Sequence, residues 1–519
     1  MATIAPTAIT RSFKRVMRRT DLILFTVCAV LVIDQLAASA ALGASAIFWW
    51  IFTLVLFFIP YGLISSELGS TYPEEGGIYA WVRRAYGPRW GARTSWLYWI
   101  NVALWMPSVY VLFAGMFSQM FYPEMGLWTK ILIGIGMIWL TTYLNVIALD
   151  VGKWVPNLGA FIKGALMLAI GLGGIVFATR HGVANEISWH TITPTWDSSL
   201  AFLPVIVYNF LGFELMSGAA EEMKDPAHDV PTSIVIAGVL IAGFYLLGTV
   251  GMLIALPVAD IGLIKGILDS INKLFAEYAW GPTLVMALGL GALCTFLANM
   301  ATWTIGANRA AAEAAERGDL PRVLGRLDPT HKTPAGAAII TGIVSTAVIV
   351  LYGLMANTAE DLFWTLYAFS SIVFLLPYLL MFGAFVRLRL RDATIARPYA
   401  IPGGIGTARI LASCCGLFIV QAIVFFIYTP GGTNWTKAGA IVGGVIVTLI
   451  VGEVLIARAT QRPDARECPT EQATSALMPV LEKDSYVTTI NDDPTRRRFS
   501  HAGGIRAACG DMAVVARTP

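Results

Sequence analysis

The stretch Tyr208–Pro226, YNFLGFELMSGAAEEMKDP, decides how the chain is read, because it sets Glu214 inside an apolar run of membrane-spanning length. A carboxylate at that depth costs about 3 kcal/mol unless it is paired, protonated or wetted. Gly212 and Phe213 stand directly before it, and glycine permits an unwound backbone. A helix broken there frees N–H and C=O groups that can hold a polar solute at a half-helix end.

Working outward, the 519 residues are 56% hydrophobic and only 13% charged, about half the charged share of a soluble domain. Apolar runs long enough to cross a bilayer recur through most of the chain, which predicts an all-α polytopic membrane protein. Twelve segments are expected, at about 22–44, 47–67, 95–120, 129–148, 157–178, 200–220, 232–256, 282–304, 335–354, 361–386, 408–428 and 437–458. Between the first two the apolar run is nearly continuous, so a tight turn near Gly43–Ser45 is expected. The basic opening, TRSFKRVMRRT at 10–20, runs into segment one with no small-residue cleavage site, and reads as a retained cytoplasmic segment over 1–21. Residues 459–519 turn polar and mixed in charge, and read as a mostly disordered tail.

The connections set orientation. One face carries 20 Lys and Arg before the tail and the other carries five. Basic loops stay in the cytoplasm, which places both termini there, in a plasma or bacterial inner membrane. The connections at 70–91 and 305–322 look ordered, the second as an alanine-rich helix former ended by Gly318 and Pro321. The six cysteines have no ligand-like spacing and read as small buried hydrophobes. With no zinc site, phosphate loop or dinucleotide motif, no metal, cofactor or nucleic-acid partner is expected. Glu74 and Glu75 form a carboxylate pair on a loop with nothing convergent around it, so no enzyme is expected.

Segment one, VLVIDQLAASAALG over 30–43, repeats the pattern of segment six, with polar and small residues near its middle. Asp34 lies near the bilayer midplane by helical rise, next to Gln35 and the small residues Ala37, Ala38 and Ser39. Two interrupted segments, each first in a block of five, suit an inverted five-plus-five repeat over about 22–180 and 200–386, with extra helices over 408–458. The candidate solute-binding residues are Asp34, Gln35, Ala38, Trp105, Asn209, Phe210, Gly212, Phe213 and Asn299. Lys163, in PNLGAFIKGALML, either snorkels to the interface or is pressed between segments one and eight, where desolvation would let it titrate. Asp34, Lys163 and Glu214 are therefore the candidates for proton coupling, Glu214 as a brace of the break or as a relay. Phe210 is the candidate aromatic gate. Glu222 and Arg309 are candidates for a cytoplasmic gate, in which the 221–225 cluster pairs with Arg309 or with the 83–93 arginines.

Four stretches carry a family resemblance. SSELGSTYPEEGGIYAWVRRAYG (65–87), YNFLGFELMSGAAEEMKDPAHDVPTSI (208–234), ANRAAAEAAERGDLPRVLGRLDPTHKTP (307–334) and RPYAIPGG (397–404) resemble the amino acid–polyamine–organocation family of secondary transporters. The resemblance implies a LeuT-like fold that holds a small organic solute between unwound parts of segments one and six. It also implies proton symport or exchange for a counter-transported solute, with membrane lipid around it. A glycine–serine–glycine element of the family pattern falls here on Asp34, Gln35 and Leu36, a departure that adds negative charge where a carboxylate is received. Either Asp34 takes the positive end of an amine, which favours a polyamine or biogenic amine, or it is protonated when an amino acid binds. Amino acids are the broader expectation and amines stand beside them. A channel or a nutrient sensor on the same scaffold is the remote alternative, since no continuous lined pore and no signalling domain are evident.

Overall fold

The computed structural model describes residues 19–74, 76–147, 154–196, 198–217, 225–428 and 432–460. Glu75, the 218–224 stretch with Glu221, Glu222 and Lys224, and the tail beyond residue 460 lie outside the described residues. Among those described, ten helices are long and apolar enough to cross a membrane, so the chain is an all-α, multi-pass membrane protein. They fall on segments two to five and seven to twelve. The other two segments are interrupted helices: Arg19–Val30 with Leu36–Ala40 in segment one, and Leu203–Asn209 with Glu214–Ser217 in segment six.

Burial ranks the segments. The apolar window of segment three, Pro88–Phe121, is 89% buried and that of segment ten, Ala359–Arg391, 72%, against 22% for segment twelve, Trp435–Thr460. Segments three and ten are thus the central pillars, and twelve is peripheral. The turn between segments one and two forms over 41–44, where Gly43 takes φ +72°, a left-handed conformation that glycine adopts without strain.

Several boundaries differ from expectation for local reasons. The alanine-rich stretch does not form its own helix; it prolongs segment eight, Gly281–Glu316, because nothing before Gly318 stops it. Segment seven starts at Pro226, where a missing N–H is cheap, whereas Pro231 lies inside the helix and removes the N–H that would bond to the Ala227 carbonyl. Gly266–Phe275, between segments seven and eight, is an amphipathic helix with Ile267, Leu268, Ile271 and Leu274 buried. It is too short to register as a spanning run.

Segment two contains a π-helical turn at Leu54–Phe58, where the Ile59 N–H bonds to the Leu54 carbonyl, five residues back. The cause is Pro60, which has no N–H and whose ring crowds the carbonyl four residues earlier. The carbonyls of Leu56 and Phe57 then find donors on segment eleven. The Cys414 thiol donates to Leu56 at 3.2 Å and the Cys415 thiol to Phe57 at 3.8 Å. The cysteine pair is therefore more than small apolar filler.

At the other end of segment two, Glu67 is 2% exposed. It accepts from the Ile401 N–H at 2.8 Å and pairs with Arg397 at 3.1 Å and Arg389 at 3.4 Å. Truncating one member of such a buried cluster leaves the other charges uncompensated. Glu67→Ala is expected to cost about 3 kcal/mol, seen as a lower midpoint in thermal unfolding followed by tryptophan fluorescence.

Candidate functional site

In segment one the α-helix stops at Val30, which takes away the helical partners of the carbonyls of Cys28, Ala29 and Val30. Each is satisfied from a different segment. Lys163 Nζ of segment five donates to Cys28 O at 2.5 Å, Trp303 Nε1 of segment eight to Ala29 O at 2.9 Å, and the Tyr245 hydroxyl of segment seven to Val30 O at 2.7 Å. The same Tyr245 hydroxyl accepts the Val32 N–H at 2.7 Å. Lys163 is fully buried, so its ammonium does not snorkel; it also donates to Asn299 Oδ1 at 2.7 Å. A cation at this position faces the negative end of the half-helix.

Segment six breaks at 210–213 in a parallel way. In a continuous helix the N–H groups of Gly212 and Phe213 would bond to Tyr208 and Asn209. Both go instead to the Tyr61 hydroxyl of segment two, at 3.0 and 2.9 Å. Tyr61 donates in turn to Glu214, which also accepts from the hydroxyls of Tyr98 at 2.9 Å and Tyr378 at 2.6 Å. Glu214, 1% exposed, thus ties segments two, three and ten to the start of the second half-helix.

The breaks meet. Gly212 has φ +127°, and a Cβ there would lie 3.0 Å from the Val30 side chain and 3.1 Å from Trp303, so this position needs glycine for both conformation and space. Asn209 Nδ2 donates to Ser39 Oγ at 3.3 Å, joining the two segments again beyond the breaks. Segment three supplies a third side. Trp105 lies edge-on to Tyr208 at 6.0 Å and to Trp303 at 5.8 Å between ring centroids. Asn101 stands between Tyr98 and Trp105 at helical spacings of three and four, which puts all three on one face. Since Tyr98 reaches Glu214 and Trp105 meets Tyr208, Asn101 faces the break in segment six. Both polar atoms of Asn101, Trp105 Nε1, Asn209 Oδ1 and Asn299 Nδ2 are buried with no partner among the described residues. Buried polar atoms are nearly always bonded, so the orphans on the residues around the breaks are candidates to meet a polar solute or water.

The structure brings together most of the expected site residues. The backbone of Asp34 lies in the 3-10 turn Ile33–Gln35 just past the first break, followed by Gln35 and Ala38, both buried. Phe210 and Phe213 turn their rings toward segment two, stacking on Phe58 at 4.2 and 4.8 Å. In this conformation neither ring shares the aromatic wall of Trp105, Tyr208 and Trp303. Glu222 lies outside the described residues, and Arg309 is half-buried on segment eight. Among the described residues, Arg83 pairs with Asp319 at 2.8 Å, Arg84 with Glu74 and Asp392 at 3.2 Å, and Arg93 with Glu453; the 221–224 part of the cluster lies outside the described residues. Hydrogen bonds from Arg391, Arg84 and Tyr72 hold the Asp392 carboxyl down to about 2, so that tie stays charged at physiological pH. Tyr61, Tyr98, Tyr245, Trp303 and Tyr378 were not singled out from sequence, where each looks like an ordinary aromatic of an apolar segment.

The amino acid permease family model matches residues 19–451. The chain is 35% identical over 446 residues to a protein named "Probable agmatine/putrescine antiporter AguD" from Lactococcus lactis subsp. lactis, covering 85% of this chain and 94% of that one. It is 29% identical over 398 residues to an uncharacterized transporter of Legionella pneumophila subsp. pneumophila, covering 75% and 85%. Against a glutamate/gamma-aminobutyrate antiporter of Lactococcus lactis subsp. lactis the identity is 20% over 444 residues, covering 83% and 87%.

Two substitutions probe the site. Asn101→Leu removes two orphaned polar atoms, so thermal stability should hold or rise while solute affinity falls about tenfold, the size of one or two lost hydrogen bonds. Isothermal binding and thermal unfolding on the same preparation check both halves. Lys163→Met leaves the Cys28 carbonyl and Asn299 without their donor, and is expected to lower the unfolding midpoint by the equivalent of about 2 kcal/mol.

Proposed function

The chain belongs to the amino acid permease family, within the amino acid–polyamine–organocation transporters, and from that premise we propose that it is a secondary transporter of a cationic organic amine. The observation that carries this reading is the meeting of two helix breaks, with Gly212 against Val30 and Trp303 and with Asp34 in the turn just beyond. A half-helix end and freed backbone groups hold a polar head. The aromatic wall of Trp105, Tyr208 and Trp303 suits a cation with a methylene chain. The relative at 35% identity, matched over nearly its whole length, bears a name that speaks of amines and exchange. Asp34 is then the ligand of the ammonium. Amino acids are the second reading, favoured by the family as a whole and by the likeness to a glutamate/gamma-aminobutyrate antiporter.

The architecture proposed is the LeuT-like inverted repeat of twelve crossings, with halves over about 22–180 and 200–386 and two extra helices over 408–458. Two features support it: both interrupted helices come first in their blocks of five, and each break is held by a tyrosine from the second helix of the other block. The basic bias of 20 to five supports both termini in the cytoplasm, with a plasma or bacterial inner membrane proposed. The tail is proposed to lie in the cytoplasm with the N-terminus. Transport proceeds by alternating access. Solute enters between segments one, three, six and eight, its head is held at the breaks, and Phe210 swings from its stack on Phe58 to close over it. Protons or a counter-transported solute drive the cycle, with Lys163 or Asp34 as the titrating group. Of the two roles expected for Glu214, three converging tyrosine hydroxyls favour the brace.

Counterflow in proteoliposomes tests the reading over a panel of agmatine, putrescine and amino acids, with and without a pH gradient. Amines are expected to exchange fastest. Asp34→Asn is expected to weaken amine transport at least tenfold, the size of a lost charge-assisted hydrogen bond, with a smaller effect on neutral amino acids. Unchanged amine affinity together with unchanged pH dependence would remove Asp34 from both its roles.

A further inference from the structure

The two breaks are held by the same device, used twice. Tyr61, on segment two, braces the break of segment six by accepting the N–H groups of Gly212 and Phe213. Tyr245, on segment seven, braces the break of segment one, donating to Val30 O and accepting from Val32 N. Each hydroxyl is shared between two or more backbone or carboxylate partners. Each therefore fixes the angle at which one half-helix leaves the other.

The two braces are joined by one continuous aromatic stack. Tyr245 stacks on Trp50 at 4.6 Å, Trp50 meets Phe210 edge-on at 5.0 Å, and Phe210 stacks on Phe58 at 4.2 Å. Phe58 then stacks on Phe213 at 4.8 Å, and Phe213 on Tyr61 at 5.4 Å. The Trp50 indole N–H is itself anchored to Thr249 on segment seven at 3.0 Å. Segment two contributes three members, and its π-turn sets their register. Eight residues apart in a regular helix, Trp50 and Phe58 would point about 80° away from each other. The extra residue absorbed at Leu54–Phe58 makes the pair equivalent to seven apart, within about 20° of one face. Packed aromatic rings transmit displacement because interiors have little free volume to absorb it.

We propose that Tyr61 and Tyr245 are paired positioning residues, coupled through this stack, so that the geometry of one solute-holding break sets the geometry of the other. Opening of either break then weakens both, and solute held at one orders the other. The inference rests on reading the two breaks as the solute-holding elements.

Hydrogen–deuterium exchange on the full-length, solute-free protein in nanodiscs tests it without depending on which solute is carried. Tyr→Phe keeps each ring in the stack and removes only the hydroxyl. Tyr245→Phe is expected to speed exchange in peptides covering 208–216 as well as 28–36, by roughly fivefold in each, as for one lost neutral hydrogen bond. Tyr61→Phe is expected to do the same in reverse. In a Phe58→Leu background, with both hydroxyls intact and the stack cut, each Tyr→Phe change should act on its own break alone. Purely local effects in the otherwise wild-type protein would overturn the proposal, as would remote effects that survive Phe58→Leu undiminished. A failure of counterflow with every amine and amino acid would instead sink the transport reading, and the exchange result would stand on its own.

Discussion

Inside hydrocarbon every backbone N–H and C=O must find a partner within the protein, and the whole centre of this molecule is organised by two places where helices fail to supply one. The break in segment one releases three carbonyls and an N–H, and the break in segment six releases two N–H groups. Segments two, five, seven and eight each send one side chain to meet them. Those side chains can reach only if the four segments pack at particular heights and angles around the breaks. The packing of the bundle is, in this sense, a consequence of having to satisfy six backbone groups near its middle.

The partners chosen are informative. Tyrosine hydroxyls do most of the bracing, and a hydroxyl is one donor with two acceptor lone pairs on a single atom. The Tyr61 oxygen accepts two N–H groups and donates to Glu214, so its capacity is filled. A half-helix can pivot about such a point without passing through a state in which a buried group is bare. An amide or carboxylate in the same position would have to exchange atoms during the movement. Lysine serves the first break differently: its nitrogen reaches the Cys28 carbonyl and Asn299 from the end of a long stem, with donors only. One break therefore carries a lysine brace beside its tyrosine, and the other a tyrosine brace anchored to a buried carboxylate.

What was legible in the sequence follows the range of the signal. Glu214 after Gly212, Asp34 in an apolar run, and Lys163 early in segment five are violations of local composition, and each pointed to the centre of the fold. The two interrupted helices were legible for the same reason. Tyr61, Tyr98, Tyr245, Trp303 and Tyr378 violate nothing locally, because an aromatic with one polar atom is at home in any buried helix. Their roles exist only across separations of 116 to 274 residues. The π-turn is intermediate. Pro60 inside an apolar helix announces a distortion, but whether it kinks the helix or widens one turn depends on the donors offered by segment eleven. Side-chain direction was the weakest link. Phe210 and Phe213 lie at the break as read, but their rings stack on segment two, a choice made by Phe58 and Trp50.

The distribution of unpaired polar atoms bears on the solute itself. Asn209, whose Nδ2 bonds to Ser39 beyond the breaks, carries an orphaned Oδ1, whereas Asn101 lies on segment three between Tyr98 and Trp105. Trp105, Tyr208 and Trp303 form an aromatic wall along the same side of segments three, six and eight. A solute with a single polar head would leave one of these groups bare, and a buried bare amide costs about 1–3 kcal/mol. A molecule with hydrogen-bonding groups at both ends and methylenes between would satisfy both. The same penalty makes such a site selective, since an analogue lacking the second polar end abandons buried atoms rather than merely failing to gain contacts. Selectivity for two-ended solutes would then come from the protein's own orphans.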